Sequence, residues 1–385
     1  MMAHYMPWYE TPQFRGAWGI HWAGPNGEFD PGTIGANGRP EIFSNYFPLI
    51  GLYDSVDPAV VECQLLQMKL AGIDGVIADW YGLSDAADYA EIHEATELLF
   101  ARAGELGMSF AACFEDRSIQ FRVQSGQLAP SGVQADLTGT FQWMQANWFN
   151  APHYLKRQGR PVLLQFGPIF LTNGAVWEQA LSGLAVRPWL AALHNLWTLV
   201  PADAAFMWVH WETWNGYPPV PIVKQRWIDR IGQVSGDATR VIPSAVAGFD
   251  DVYTDQIFPF LDHRGGQTFR EALQVAMDGP WEMVQLVTWN DYGEGTMMEP
   301  TVEFGYTFLE IVQEERRREL GASFAFTAAD LRLPARLLEL RRGGGANGGV
   351  LDQIAAWLAL GDVASARAAM DRDRGCACCG ERRRA

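Results

Sequence analysis

A single (β/α)8 barrel of the α/β class, followed by a small C-terminal helical appendage, is the fold this sequence predicts, and three observations predict it. Short apolar runs alternate with amphipathic helical segments over residues 1–320, an order that implies a parallel sheet. Seven runs are plain and an eighth is available at "PWLAAL" (188–193), the number a closed barrel needs. Acids and aromatics gather at the C-terminal ends of the runs, and in a barrel these ends form one face, the one that carries chemistry. No Gly-x-Gly-x-x-Gly follows a strand and no Walker-type lysine loop is present, so an open nucleotide-binding sheet has no support.

In chain order the strands are expected at "AHYMPW" (3–8), "DGVIADW" (74–80), "MSFAACF" (108–114), "PVLLQF" (161–166), "AAFMWVH" (204–210), "RVIPSAV" (240–246) and "MVQLVTW" (283–289). Between the first two, Asp57 is placed to cap a helix that has Pro58 in its first turn and stops at Gly72. The segments 85–107 and 267–279 end on Gly107 and Gly279 in the same way. Beyond residue 320 the pattern changes: residues 321–385 read as helices around a Gly-rich hinge at 343–349, with a disordered Cys/Arg-rich end.

The chain has 385 residues, 48% of them hydrophobic, and carries 29 Lys and Arg against 45 Asp and Glu, a net charge of −16. That charge repels nucleic acid and anionic membranes, and 16 Trp residues suit a neutral oligo- or polysaccharide partner, whose C–H faces stack on indole. Five cysteines give no disulfide framework. Neither an apolar run of spanning length nor a leader precedes "MMAHYMPWYETP", so a cytoplasmic location is expected, with secretion only if a leader has been removed. Nothing in the sequence fixes an oligomeric state.

The densest chemistry lies in "TWNDYGEGTMMEP" (288–300), where Asp291 and Glu294 sit three residues apart among aromatics and glycines. Two carboxylates flanking a glycosidic bond, one acid and one base or nucleophile, are the usual machinery of glycoside hydrolysis. Aromatic burial beside a charged Asp291 would raise Glu294 so that it holds a proton near neutrality, which assigns Glu294 as acid and Asp291 as base. Sugar-binding candidates at the strand ends are Tyr5, Trp8, Tyr9, Asp79, Trp80, Tyr81, Glu115, Asn215, Asp250, Trp289, Asn290 and Tyr292, joined by His21 and Trp22 of "GAWGIHW" (16–22). No His-x-His or Cys/His spacing offers a metal site and the terminal "CACCG" lacks a fourth ligand. Neither a metal nor a cofactor is expected.

The stretches "HYMPWY" and "GAWGIHW" (within 4–22) and "NYFPLIGLYDSVDPAVVECQLLQMKLAGIDGVIADWYG" (45–82) resemble the N-terminal half of the glycoside hydrolase family 99 endo-α-mannosidases and endo-α-mannanases. "IPSAVAGFDD" (242–251), "RGGQTFREALQVAM" (264–277) and the closing motif are similar to that family's last barrel units. The family's motif reads Trp/Phe-Asn-Glu-Trp-x-Glu-Gly-Thr; here Asp291 replaces the first Glu and Tyr292 the Trp, while Glu294, Gly295 and Thr296 match. "WNDYGE" itself is closer to the related family 71 α-1,3-glucanases. The family 99 resemblance implies a retaining reaction in which Asp291 deprotonates the sugar 2-hydroxyl and Glu294 is acid, then base. The family 71 resemblance implies inverting attack by water on an α-glucan. A barrel that binds carbohydrate without cleaving it is the alternative.

Overall fold

Strand β1 (Met2–Tyr5) has a parallel neighbour on each side, and the ring grows from it. The computed structural model describes residues 1–209, 225–226, 229–230, 232–233, 237–253, 260–344 and 347–380, the last eight by backbone alone. From β1 the ring runs through β2 (Gly75–Trp80), β3 (Ser109–Phe114), β4 (Arg160–Gln165), β5 (Trp189–Leu193) and β6 (Ala204–Phe206). The next stave is split by Pro243: β7 (Val241–Ile242) pairs with β6, and β8 (Ser244–Val246) pairs with β9 (Gln285–Val287), which returns to β1. Proline has no N–H for a ladder, but its carbonyl still accepts from Gln285 N at 2.9 Å. Counting β7 and β8 as one stave gives eight, and the eighth expected from "PWLAAL" is β5.

Every residue of β1, β2, β5 and β9 is buried, as strands with the barrel interior on one side and helices on the other must be. The outer layer comprises α1 (Pro58–Ala71), α2 (Tyr89–Glu105), α3 (Val133–Asn147), α4 (Gly174–Ser182), α5 (Gln267–Asp278) and α6 (Thr307–Leu320). The predicted punctuation of α1 is present: the Asp57 side chain accepts from Ala59 N, and Gly72 closes the helix at φ 93°. One connection departs from the ideal repeat. Residues 194–203 join β5 to β6 with only the single turn Trp197–Leu199, so among the described residues no helix lies between these two strands.

The C-terminal helices α7 (Leu333–Gly343), α8 (Gly348–Ala359) and α9 (Val363–Gly380) follow α6. α7 and α8 pack on α1, and Leu337, Leu338, Ile354 and Leu358 are continuous with the barrel core. α1 is therefore enclosed, with eleven of its fourteen residues buried. Among them is Glu62, whose carboxylate accepts from Arg102 of α2 and from Arg341 Nε of α7 at 2.8 Å. Two guanidinium partners satisfy a charge that would be costly to bury alone. The cysteine run 376–379 lies on the helical backbone of α9. Cys63 and Cys113 are buried and unpaired, and among the described residues no helix is long and apolar enough to cross a membrane.

Candidate active site

The loop after β9 is built from its own side chains. Thr288 Oγ1 lies 2.9 Å from Thr296 Oγ1 and accepts from Asp291 N at 2.8 Å. Asp291 Oδ1 then accepts from Glu294 N at 2.9 Å. A second segment, after β8, is laced to this turn: Asp250 N donates to Glu294 O at 2.8 Å and Val252 N to Gly293 O at 2.9 Å. Gly293 is required there, because a Cβ at that position would meet the Tyr253 ring at 2.2 Å.

Asp291 and Glu294 face a cleft of about 520 Å³ lined also by Trp8, His21, Asp79, Tyr81, Glu115, Arg117, Phe166, Trp208, Asp251 and Tyr253. The environments of the two carboxyls differ. Burial raises Asp291 to about 7, with Asp79 and Asp251 adding to the rise and the Glu294 and Gly293 amides opposing it. Glu294 is held well above the ordinary range by burial first and then by Asp291 and Asp251, against weaker pulls from Arg117 and the Trp208 indole N–H. Its Oε2 is buried and has no hydrogen-bond partner. Burial and their mutual repulsion thus hold both carboxyls above the ordinary range, Glu294 well above it. Glu115 is also pushed up by burial and then by Asp79, with Arg117 Nε 3.8 Å away.

Of the residues expected to bind sugar, Trp8, His21, Asp79, Tyr81 and Glu115 reach this cleft. His21 stacks on Trp8 with ring centroids 4.0 Å apart and its Nδ1 lies 3.0 Å from the Tyr253 hydroxyl. Of the others that are described, none lines this cleft, and strand parity explains two of them. Asp79 points inward, so Trp80 points outward and packs on Trp148 at 4.8 Å. His4 points inward, so Tyr5 points out and its hydroxyl donates to Gln64 Oε1 of α1 at 2.6 Å.

The remaining expected residues hydrogen-bond within the protein. Tyr9 donates to Asn290 O at 2.7 Å, and Trp22 Nε1 donates to Tyr53 O at 2.9 Å. Asn290 Oδ1 accepts from Met6 N at 2.8 Å while its Nδ2 donates to Met6 O at 3.0 Å, clamping the β1 and β9 loops together. Trp289 is wholly buried, and its backbone N donates to His4 O at 2.6 Å. Tyr292 and Tyr53 both donate to Glu299 at 2.9 Å. Asp250 accepts from Asn45 and Tyr46, each at 3.0 Å. Asn215 lies outside the described residues.

Sequence reasoning missed Arg117, Phe166, Trp208 and Tyr253 as cleft residues, and named Asp251 at a strand end without placing it in the site. Parity counted from Asp79 could have placed the inward side of each strand, and Gly293 marks a close approach that only a bulky neighbour explains. Asp116, beside Glu115, serves the scaffold instead. It accepts from the backbone N of Ile169, Phe170 and Leu171 at 2.6–2.9 Å, fixing the β4 loop.

Residues 1–131 match the profile of Glycosyl hydrolase family 99. The rat glycoprotein endo-alpha-1,2-mannosidase is 38% identical over 104 residues, which cover 25% of this chain and 22% of the rat protein. Its mouse counterpart is 36% identical over 96 residues, covering 23% and 21%. The match thus spans about a fifth of the length of these relatives. The structure of the GH99 endo-alpha-mannosidase from Bacteroides thetaiotaomicron superposes with a TM-score of 0.62 at 15% identity, over 83% of this chain and 98% of that one. A glycoside hydrolase-like protein superposes at 0.51 and 14% identity, over 70% and 89%. The chain is therefore family 99-like, in sequence over its first third and in fold over most of its length.

Proposed function

We propose that this chain is a glycoside hydrolase that cleaves an α-linked neutral glycan, an α-mannoside or α-glucan attacked within its chain, with Glu294 as general acid and Asp291 as base. The observation that carries the reading is the contrast between the two carboxyls of one cleft. Asp291 accepts a backbone N–H that favours its charge, whereas burial beside Asp291 and Asp251 favours the protonated form of Glu294 against weaker pulls from Arg117 and the Trp208 indole. The names of the sequence relatives support the substrate class.

In the first step Glu294 gives its proton to the glycosidic oxygen as the C1–O bond breaks. In the retaining route Asp291 takes the proton of the sugar 2-hydroxyl while O2 closes on C1 to form a 1,2-anhydro sugar. Water then attacks C1, Glu294 takes its proton, and Asp291 returns the other to O2. In the inverting route Asp291 takes the proton of the attacking water itself. Trp8, Tyr81, Phe166, Trp208 and Tyr253 give the cleft aromatic faces for sugar rings.

The test is a hydrolysis screen on α-mannan and α-glucan oligosaccharides with product anomers followed by NMR and Glu294→Gln as control. A retained anomer from an α-mannoside supports the 2-hydroxyl route, and an inverted one from an α-glucan the water route. Binding of these glycans without turnover refutes the hydrolase and leaves a carbohydrate-binding barrel.

A further inference from the structure

Three neighbouring strands bring together three side chains that no sequence spacing connects. His4 of β1, Asp79 of β2 and Cys113 of β3 each offer one ligand atom, and these atoms lie within 4.8 Å of one another. The strand register sets the meeting, since Asp79 and Cys113 are direct partners in the β2–β3 ladder and His4 stands opposite Ile77, two residues before Asp79. All three are essentially buried, at 0%, 2% and 0% exposure.

Their hydrogen bonding is incomplete. Neither ring nitrogen of His4 has a partner, and neither does Asp79 Oδ1, which lies 3.8 Å from His4 Nε2, too far for a hydrogen bond. Buried polar atoms are normally satisfied, so a histidine and a carboxylate oxygen left without partners side by side call for an occupant between them. His4 and Asp79 also line the cleft, while Cys113 stands behind them. A molecule entering by the cleft can therefore reach the cluster.

We propose that His4, Asp79 and the Cys113 thiolate form a binding site for one borderline-soft divalent metal ion, Zn²⁺ by preference, with a fourth position open to the cleft. One nitrogen, one carboxylate oxygen and one sulfur form a donor set that suits zinc and excludes calcium and magnesium, which take oxygen ligands. Zinc bonds of about 2.0–2.3 Å require a tetrahedral ligand triangle roughly 3.3–3.8 Å on a side. Side-chain rotation closing the present spacing by about 1 Å supplies it. The surroundings favour a cation: Asp79, Glu115, Asp251, Asp291 and Glu294 share a cleft whose described lining has Arg117 as its single Lys or Arg. On binding, the Sγ–H bond of Cys113 breaks as the Sγ–metal bond forms, and the proton goes to solvent. The site stands whether or not the chain hydrolyses glycans, because nothing in it uses Asp291 or Glu294.

Cobalt(II) is the probe, added to the full-length protein and to a full-length variant in which Cys376, Cys378 and Cys379 are serine. One Co²⁺ per chain with a thiolate-to-cobalt charge-transfer band is expected in both, displaced by Zn²⁺. Cys113→Ser should abolish that band, and Cys63→Ser should leave it. Asp79→Asn, nearly isosteric, should weaken Co²⁺ at least about tenfold and serves if Cys113→Ser does not fold. Absence of binding in the tail-substituted protein overturns the proposal and leaves water to satisfy His4 and Asp79. A thiolate band that persists in Cys113→Ser overturns it too.

Discussion

Replacing Glu294 by Gln separates chemistry from architecture in this cleft. The backbone of residue 294 holds its place through Asp291 Oδ1 and Asp250 N, at 2.9 and 2.8 Å, and neither contact involves the side chain that changes. The side chain itself loses little, since Gln keeps its shape and an amide oxygen that can still accept from the Trp208 indole. The whole effect should therefore fall on proton donation. General-acid catalysis contributes about 10²–10⁴-fold, which at about 1.36 kcal/mol per decade raises the barrier by roughly 3–5 kcal/mol. That loss is expected on a natural oligosaccharide, whose alkoxide departs poorly. On a nitrophenyl α-glycoside, which leaves without protonation, it should shrink to less than about tenfold.

The pH profile supplies the second readout. In the wild type, kcat should fall as pH drops through about 7, where Asp291 gains its proton, and again at higher pH, where Glu294 gives its proton up. In Glu294→Gln, measured on the aryl substrate, the alkaline limb should vanish and the acid limb remain. Equal loss on both substrates, or an alkaline limb that survives, would refute the assignment of Glu294 as acid.

Three further outcomes can be measured. Gly293→Ala should cut kcat sharply in a protein that still unfolds cooperatively, because the new Cβ collides with Tyr253 ring carbons at 2.2 Å; adding Tyr253→Ala should restore the loop, seen by NMR, where Tyr253→Phe should not. Burial raises Glu299 from 4.5 to about 7, so its contribution to stability is full below pH ~4.5 and lost as pH rises through about 7, worth on the order of 3 kcal/mol. Glu299→Gln should flatten that part of the Tm–pH curve, and an unchanged slope would assign it to other groups. Arg341→Ala removes one of the two guanidinium partners of buried Glu62. It should cost about 2 kcal/mol in denaturant unfolding and expose α7 and α8 to limited proteolysis.

The barrel was legible because its signals are local: Asp57, Pro58 and Gly72 punctuate α1 whatever the rest of the chain does. Asp291 and Glu294 were legible for the same reason, since a turn of four residues brings them to one place. The aromatic expectations diverge from the cleft where orientation matters. Trp80 differs from Asp79 and Tyr81 by one step along a strand and so faces the opposite side of the sheet. Tyr9, Asn290 and Tyr292 look like sugar ligands in composition, but their polar atoms hold the β1 and β9 loops to each other. Distances of more than 280 residues in sequence separate those partners, and no local pattern carries such information. His4, Asp79 and Cys113 were hidden likewise, each on a different strand.

The closing of the ring at β1 also bears on how the protein is made. β1 pairs on one side with β9, Met2 against Gln285 and so more than 280 residues later in the chain, and α1 receives its cover from α7 and α8. Until β9 has been synthesised, β1 keeps an open edge, and α1 has an unshielded face for longer still. Such edges invite pairing with other chains. Chaperone dependence should therefore be concentrated in nascent chains that stop short of β9, and chains halted just beyond α8 should be the first to escape it.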